Sequence, residues 1–397
     1  MAAKIAPQFQ QLKVEGGSST SVVFESFDLP SSNQKLLGAP HPPNTVIPLA
    51  LRPSTHDDAA PSLEAAVATV MSLQAQGNIL TKKLATHGTL LFRGLPIHSA
   101  EDFSKLAHAF GYSPHEIIGI VVDRPLLAPN VAPANEAPKE VLIYNHNESP
   151  QVPHAPEYIF FYSHRAPKEG GETPISSSLE LFARAKQEIP DFIDLLAEKG
   201  IRSKVTYKVN AQHAGGSTLK QAFGKEIQEG DDAPIRKRKI EDQIKRYNRD
   251  EYTTWEWLDS DQTLVLTHHL PAIRTQPDTS LPTFFTGLAA YYKNFIAPSS
   301  PNAGRKNVTQ QLFGDGTPIP NHYLEKLANI TDEIRVLHKW QEGDVLVYDN
   351  LIAQHGRQPW KGEQGDRVVM ASLWDAVAPG KFAGSEGGWA QVGKALS

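Results

Sequence analysis

Two strand-like segments, far apart in the chain, each lead into a histidine, and this arrangement limits the folds that the chain can adopt. Residues 141–144 (Val-Leu-Ile-Tyr) form a β-branched and aromatic run just before His146-Asn147-Glu148. Residues 345–348 (Val-Leu-Val-Tyr) form a second such run upstream of His355-Gly356-Arg357. A strand, loop and histidine in this order can place the histidine at the mouth of a β-barrel.

The spacing inside the first motif is suited to a metal ion. In an extended chain, residues i and i+2 project to the same face, so His146 and Glu148 can both reach one ion. The pattern alone is weak, because a chain with 15 histidines and 44 acidic residues should contain about two such matches by chance. The other match, His56-Asp57-Asp58, lies in a turn-rich stretch and is predicted to be a solvated loop.

The chain contains no cysteine, which excludes disulfides and thiolate metal sites. A metal ion must therefore be held by histidines and carboxylates. Two histidines and one carboxylate are the set that holds Fe(II) and leaves positions open for O2 and a cosubstrate. We predict that His146, Glu148 and His355 form this set.

Arg367 comes twelve positions after His355 and opens a further strand-like run, residues 368–374. A guanidinium group is a bidentate partner for a carboxylate. Beside a predicted iron site, this arginine indicates that the cosubstrate is 2-oxoglutarate.

Five motifs occur in the order found in one known family. The chain resembles the taurine dioxygenase and clavaminate synthase-like family of Fe(II)/2-oxoglutarate-dependent dioxygenases from about residue 80 to residue 376. The matching segments are residues 87–94 (a hydrophobic strand ending in Phe-Arg-Gly), 146–148, 170–174 (Gly-Gly-Glu-Thr-Pro), 270–272 (Leu-Pro-Ala) and 343–367.

The resemblance implies a fold, a set of cofactors and a reaction. The fold is α+β with a mainly β core, a double-stranded β-helix (jelly roll) flanked by helices. Its catalytic metal ligands are His146, Glu148 and His355, and Thr173 and Arg367 bind the far carboxylate of 2-oxoglutarate. With Fe(II), 2-oxoglutarate and O2, such an enzyme oxidises a C–H bond of a small organic substrate and releases succinate and CO2.

The sequence does not identify the substrate. Candidate substrate residues are Asn145, His154, Arg274 and Arg357. Either arginine could bind an anionic substrate or form an ordinary salt bridge, and His154 could line the cavity or have a structural role.

Two other classes of protein could contain a similar set of ligands. A metal-dependent hydrolase or lyase on a similar barrel would use Zn(II) and an activated water, but it would leave Thr173 and Arg367 without a role. A non-catalytic binding protein on a decayed fold would not need the intact ligand set.

Composition and local pattern suggest the organisation of the chain. Residues 1–60, rich in Ser, Pro and Gly, are predicted to be an irregular arm, and 61–397 a single dioxygenase domain with a lid insertion at about 214–252. Helices are expected at 62–86, 101–110, 178–197 and 285–296. The basic quartet at 236–239 is flanked by acidic residues, which favours a solvated helix face over a nuclear-localisation or phosphate-binding site.

Charge and hydropathy set limits on partners. A net charge of −5 and a pI near 6.3 give no indication of nucleic-acid binding. No run approaches 18 apolar residues, and the N-terminus lacks an apolar signal core. We therefore expect a cytoplasmic enzyme with a small-molecule substrate and no membrane partner; the oligomeric state cannot be predicted.

Overall fold

The computed structural model describes most of the chain. The described residues are 11–12, 22–55, 60–119, 125–134, 137–209, 218–247, 252–258, 263–277, 279–300, 303 and 310–376.

The strands form several sheets, and among the described residues every strand pair is antiparallel except β5 with β6, which is parallel. In chain order they are β1 (Gln11–Leu12), β2 (Val23–Ser26), β3 (Lys35–Leu36), β4 (Val46–Ile47), β5 (Leu49–Ser54), β6 (Thr89–Phe92), β7 (Ser113–Pro114), β8 (Ala132–Pro133), β9 (Ile143–His146), β10 (Tyr158–Arg165), β11 (Thr173–Ser177), β12 (Ile201–Lys208), β13 (Thr253–Leu258), β14 (Thr263–Leu270), β15 (Ile273–Thr275), β16 (Pro282–Phe284), β17 (Gln310–Phe313), β18 (Val336–His338), β19 (Val345–Asp349), β20 (Ala353–Arg357) and β21 (Val368–Asp375).

The helices lie before, between and after these groups. They are α1 (Leu63–Ala75), α2 (Ile79–His87), α3 (Ala100–His108), α4 (Ser178–Glu188), α5 (Pro190–Lys199), α6 (Leu219–Phe223), α7 (Ala233–Tyr247), α8 (Leu288–Tyr291) and α9 (Asn321–Ile334), with a π-helical turn at Tyr292–Ile296 and a 3₁₀ turn at Gln364–Asp366. No helix in the described ranges is both long and apolar enough to cross a bilayer.

Two facing sheets form the core. The larger has the strand order β1-β2-β5-β6-β19-β10-β21-β7, with β8 also paired to β21, and the smaller has the order β18-β11-β20-β9. From β8 to β11 successive strands alternate between the sheets, and from β18 to β21 they alternate again. This alternation is the topology of a double-stranded β-helix, so the predicted jelly-roll core is confirmed.

Strands β6, β10 and β19 each contain a continuous apolar run, because both faces of the larger sheet are covered. Side chains alternate along each strand, so one set contacts the helices α1–α3 and the other contacts the smaller sheet. The first set includes Leu90, Phe92, Phe160, Val345 and Val347. The second set includes Leu91, Ile159, Leu346 and Tyr348, which pack with Ile175 and Ala353 of the smaller sheet. Helices α4, α5 and α9 contribute to a further apolar cluster with Tyr144 of β9.

The segment between β11 and β18 is a large insertion. It carries a four-stranded sheet of order β13-β14-β12-β17. The predicted lid segment, about 214–252, is described from 218 to 247, where α6 and α7 pack against this sheet through Leu219, Phe223 and Ile244. The same apolar cluster includes Ile118.

Two predictions about the N-terminal region need correction. The segment 1–60 was expected to be irregular, but in its described part β1, β2 and β5 extend the larger sheet, with Phe24 and Leu51 in the core. The helix expected at 62–86 is two helices, α1 and α2. Gly77 and Asn78, with φ of 102° and 57°, turn the chain between them, a conformation that ends a right-handed helix.

Candidate active site

Neighbouring strands of the smaller sheet bring the two predicted histidines together. His146 ends β9 and lies directly opposite His355 of β20, so both side chains project from the same face. Their ring centroids are 4.8 Å apart. Glu148 Oε2 is 3.3 Å from His355 Nε2 and 3.9 Å from His146 Nε2. The three donor atoms all lie within 4.8 Å of one another, so one ion could contact all three.

The orientation of His146 suits a metal ligand. Its Nδ1 lies 2.8 Å from the carbonyl oxygen of Tyr144. A proton on Nδ1 would be donated to that carbonyl, which leaves the Nε2 lone pair facing Glu148. Burial, and then the neighbouring His355, lower the pKa of His146. Both effects favour the neutral imidazole that binds a metal.

Asn147 lies between the two ligands in the sequence, and its side chain points to the opposite side of the chain. Its buried side chain donates to the Asn350 carbonyl at 2.7 Å and accepts from the Thr286 backbone N–H at 2.9 Å. The central residue of the motif is therefore anchored in the protein interior. His146 and Glu148 are consequently exposed to the cavity, as the extended-chain argument predicts.

Arg367 and Thr173 lie together at the same cavity. The Arg367 guanidinium donates to the Gly171 carbonyl at 2.9 Å, and a second nitrogen is 3.5 Å from Thr173 Oγ1. Gly171 has a φ of 72°, and a Cβ there would lie 3.1 Å from Arg367 Cδ. The same Cβ would lie 2.6 Å from Pro167 Cγ, so a side chain at position 171 would clash with the proline and crowd the arginine.

The Arg367 guanidinium is a buried cation. Burial, and then the positive charge of Arg357, lower the pKa of Arg367 to about 9, although Tyr348 and Glu172 act in the opposite direction. Among the described residues no carboxylate forms an ion pair with it. At neutral pH it remains charged, and a desolvated charge without a paired carboxylate is unfavourable; the Glu172 carboxylate interacts with it only at longer range. The group is thus suited to an anionic ligand.

One cavity of about 260 Å³ joins these features. The His146, Glu148 and His355 cluster, Thr173 and Arg367 all line it. Apolar side chains line another part of its wall, namely Ile117, Ile118, Leu126, Val152 and Leu373. The donor set fits Fe(II), and the hydroxyl–guanidinium pair fits the second carboxylate of a dicarboxylic keto acid.

Comparison with known proteins agrees with this geometry. The family model for the taurine catabolism dioxygenase TauD, TfdA family, matches residues 50–374. The chain belongs to this family.

Similar proteins include a clavaminate synthase-like protein of Arabidopsis thaliana, 29% identical over 82% of this chain and 93% of the relative. The dapdiamide synthesis protein DdaC of Enterobacter agglomerans is 28% identical over 75% of this chain and 84% of the relative. Among solved structures, an asparagine oxygenase in complex with Fe(II), 3-hydroxyasparagine and succinate has a TM-score of 0.46 and 13% identity, covering 79% of this chain and 83% of its own.

As a TauD/TfdA member, the protein is a non-haem Fe(II)- and 2-oxoglutarate-dependent dioxygenase, with O2 as its second cosubstrate. Family membership removes the hydrolase, lyase and non-catalytic alternatives. It does not identify the substrate.

The structure separates the four candidate substrate residues of this dioxygenase. His154 and Arg357 line the cavity. The Arg357 guanidinium is engaged with the carbonyl oxygens of Ala137, Pro138 and Val141, each at 2.9 Å. It therefore anchors the loop at 137–141.

Asn145 and Arg274 lie elsewhere, which does not agree with a substrate role. Asn145 precedes His146 on β9 and so points into the interior, where it donates to Ser176 Oγ at 2.9 Å. Arg274 is buried in β15 with its guanidinium 4.6 Å from the Phe285 ring centre. Neither is among the residues that line the cavity. His56 lies outside the described residues.

Sequence reasoning missed several residues that support the site of this TauD/TfdA member. Asn350 is absent from the predicted site, yet it hydrogen-bonds the backbone of Glu148. Trp340 donates to Thr173 Oγ1 at 2.9 Å. His115 lines the cavity and contacts Asp375. The polar Asp349-Asn350 pair directly after the apolar run 345–348 was a usable signal for Asn350. Trp340 and His115 had no such signal.

Proposed function

We propose that His146, Glu148 and His355 hold the Fe(II) of this dioxygenase, and that Arg367 and Thr173 bind the remote carboxylate of 2-oxoglutarate. The proposal rests on one observation. Three donor atoms within 4.8 Å of one another and a buried arginine face the same cavity. Bound together, Fe(II), 2-oxoglutarate and O2 supply the oxidant for a C–H bond while 2-oxoglutarate is converted to succinate and CO2.

The chain's own groups orient the reactants. Arg367 and Thr173 fix one end of the cosubstrate, so its keto-acid end is directed to the cluster across the cavity. A substrate packed against the apolar wall would exclude water from the reacting centre. Asn350 fixes the main chain of Glu148, so its carboxylate stays beside both imidazoles.

The space beside the cluster is suited to a small organic substrate. We propose that an apolar part of this molecule packs against Ile117, Leu126 and Leu373, since these side chains line the cavity together with His115 and His154. The C–H bond nearest to the cluster would be the one oxidised, by hydroxylation or a related oxidation. The cavity volume favours a metabolite-sized molecule over a polymer.

The test is visible absorption of the purified protein under anaerobic conditions, on adding Fe(II) and then 2-oxoglutarate. We expect a new charge-transfer band that Glu148→Ala abolishes. Glu229→Ala, which changes an exposed carboxylate, should keep it. Bound iron without a band would refute the assignment of the cosubstrate site, and a band that survives Glu148→Ala would remove Glu148 from the ligand set.

We also propose that the segment at about 214–252 acts as a lid. Helices α6 and α7 share an apolar cluster with Ile118, which lines the cavity. Closure over a bound ligand should slow amide hydrogen exchange in α7. Identical exchange in α7 with and without Fe(II) and 2-oxoglutarate would contradict this proposal.

A further inference from the structure

A second group of two histidines and one carboxylate lies at the same cavity, apart from the predicted iron ligands. His115 Nδ1 is 2.9 Å and 3.1 Å from the two carboxylate oxygens of Asp375. His154 Nε2 is 4.0 Å from Asp375 Oδ2. The two imidazole rings are stacked with centroids 4.4 Å apart. Both histidines line the cavity.

The geometry of this group matches that of the predicted iron site. One donor atom from each of its three residues lies within 4.8 Å of the others, as in the His146 cluster. The carboxylate–imidazole separations are 2.9 and 4.0 Å here and 3.3 and 3.9 Å there. Donors bound to one ion at about 2.0–2.1 Å are roughly 3.0–3.4 Å apart. Small side-chain movements would therefore bring all three donors onto one cation.

The protein holds these three residues in place from three separate segments. Asp375 ends β21 and pairs with Ser113 of β7. Ser113 lies two residues before His115. The His115 backbone N–H donates to the Leu373 carbonyl at 3.0 Å. On the side of His154, the Glu157 carboxylate accepts from the Ala376 N–H at 2.8 Å.

Burial adds a second argument. The His115 side chain is only 4% exposed, against 32% for His154 and 24% for Asp375. The group is therefore a half-enclosed, preformed set of donors, and preformed donors lose less freedom when they bind an ion.

We propose that His115, His154 and Asp375 form a second divalent-cation site, for which Zn²⁺ is the favoured ion. Imidazole nitrogens and a carboxylate oxygen are both common ligands of Zn²⁺, and three protein ligands leave a coordination position open. Because both histidines line the cavity, the cation would be accessible to an oxygen donor of the substrate, such as a carboxylate. The site would then fix the substrate at a distance from the iron cluster.

The test is the number of zinc ions that the metal-stripped full chain retains after gel filtration. We expect two per chain for the wild type and one for His154→Ala. Asp375→Asn, which is similar in shape and can still hydrogen-bond His115, should also retain one. His146→Ala should retain one, and the double variant His146→Ala/His154→Ala none. His164→Ala, at an exposed histidine of β10, is the matched control and should retain two.

The possible results separate this proposal from that of the iron site. A wild type that retains a single zinc, lost in His146→Ala and kept in His154→Ala, would overturn the second site and leave the three residues as a hydrogen-bonded brace. A single zinc that is lost only in His154→Ala would support the second site and refute the proposed iron ligands. Circular dichroism of each variant checks that the fold is retained.

Discussion

Asn350 holds the main chain of Glu148 through two hydrogen bonds. The Glu148 N–H donates to Asn350 Oδ1 at 2.7 Å, and Asn350 Nδ2 donates to the Glu148 carbonyl at 3.0 Å. The same Nδ2 also donates to the Pro156 carbonyl at 2.7 Å. Asn350 directly follows β19 of the larger sheet, whereas Glu148 lies just after β9 of the smaller sheet. The larger sheet therefore helps to position Glu148.

Asn350→Ala should weaken Fe(II) binding without removing a ligand. Loss of groups that orient a metal ligand costs about 10–100-fold in affinity, and we expect a decrease in that range. The measurement is anaerobic Fe(II) titration of the apoprotein. Asn321→Ala, at an exposed asparagine of α9, is the control. An unchanged Fe(II) affinity in a folded Asn350→Ala protein would show that Glu148 needs no such support.

Arg367→Ala should raise the 2-oxoglutarate requirement far more than the substrate requirement. Truncating one partner of a buried charge pair costs about 2 kcal/mol or more, so the KM for 2-oxoglutarate should rise at least about 30-fold. Steady-state succinate release measures both requirements, and Arg238→Ala on the exposed face of α7 is the control. Equal shifts in the two KM values would refute the assignment.

Trp340 positions the hydroxyl of Thr173, so Trp340→Phe should affect the cosubstrate alone. A hydrogen bond of this kind contributes about 0.5–1.5 kcal/mol, which predicts a rise of about 2–12-fold in the KM for 2-oxoglutarate. Fe(II) affinity should not change. Trp257→Phe removes a similar indole hydrogen bond, 2.9 Å to Glu241 Oε1 in the insertion, and should leave the KM unaltered. A loss of Fe(II) binding in Trp340→Phe would indicate a general structural role.

The ligand residues of the site could be predicted from the sequence, but the contacts that support them could not. The ligand motifs are local: a strand followed by His146-Asn147-Glu148 places two donors on one face through geometry that any extended segment has. The supporting contacts are not local. Arg93, which follows β6, forms two hydrogen bonds of 2.8 and 2.7 Å with Asp344, which precedes β19. Each lies in a segment that resembles the family, but only the pairing of β6 with β19 brings the two residues together.

Alternation along strands explains why some predicted residues were misplaced. Asn145 was a candidate substrate residue, but it adjoins His146, and adjacent strand residues face opposite sides. The polar segments before residue 60 were expected to be irregular for a different reason. Their short strands are stabilised by pairing with the larger sheet. Local composition does not report such pairing.

Three buried histidines should make the protein sensitive to mild acid. Burial lowers the pKa of His41, His87 and His268 to about 4 in each case, whereas an unfolded histidine titrates near 6.5. Between these values the unfolded chain binds more protons than the folded one. The free energy of unfolding is therefore fully retained above about pH 6.5, and it decreases as the pH falls towards 4, by up to about 3 kcal/mol for each histidine.

His87→Asn should reduce this pH dependence. The His87 Nδ1 lies 2.8 Å from the Val46 carbonyl, and an asparagine amide can donate to the same oxygen without titrating. Urea unfolding at a series of pH values from 7 to 4 measures the effect; the decrease should be smaller in His87→Asn than in the wild type by about one histidine's contribution. His164→Asn, at an exposed position, should follow the wild type. If His87→Asn and the wild type lose the same free energy over this range, His87 is already protonated in the folded protein and its burial does not govern acid stability.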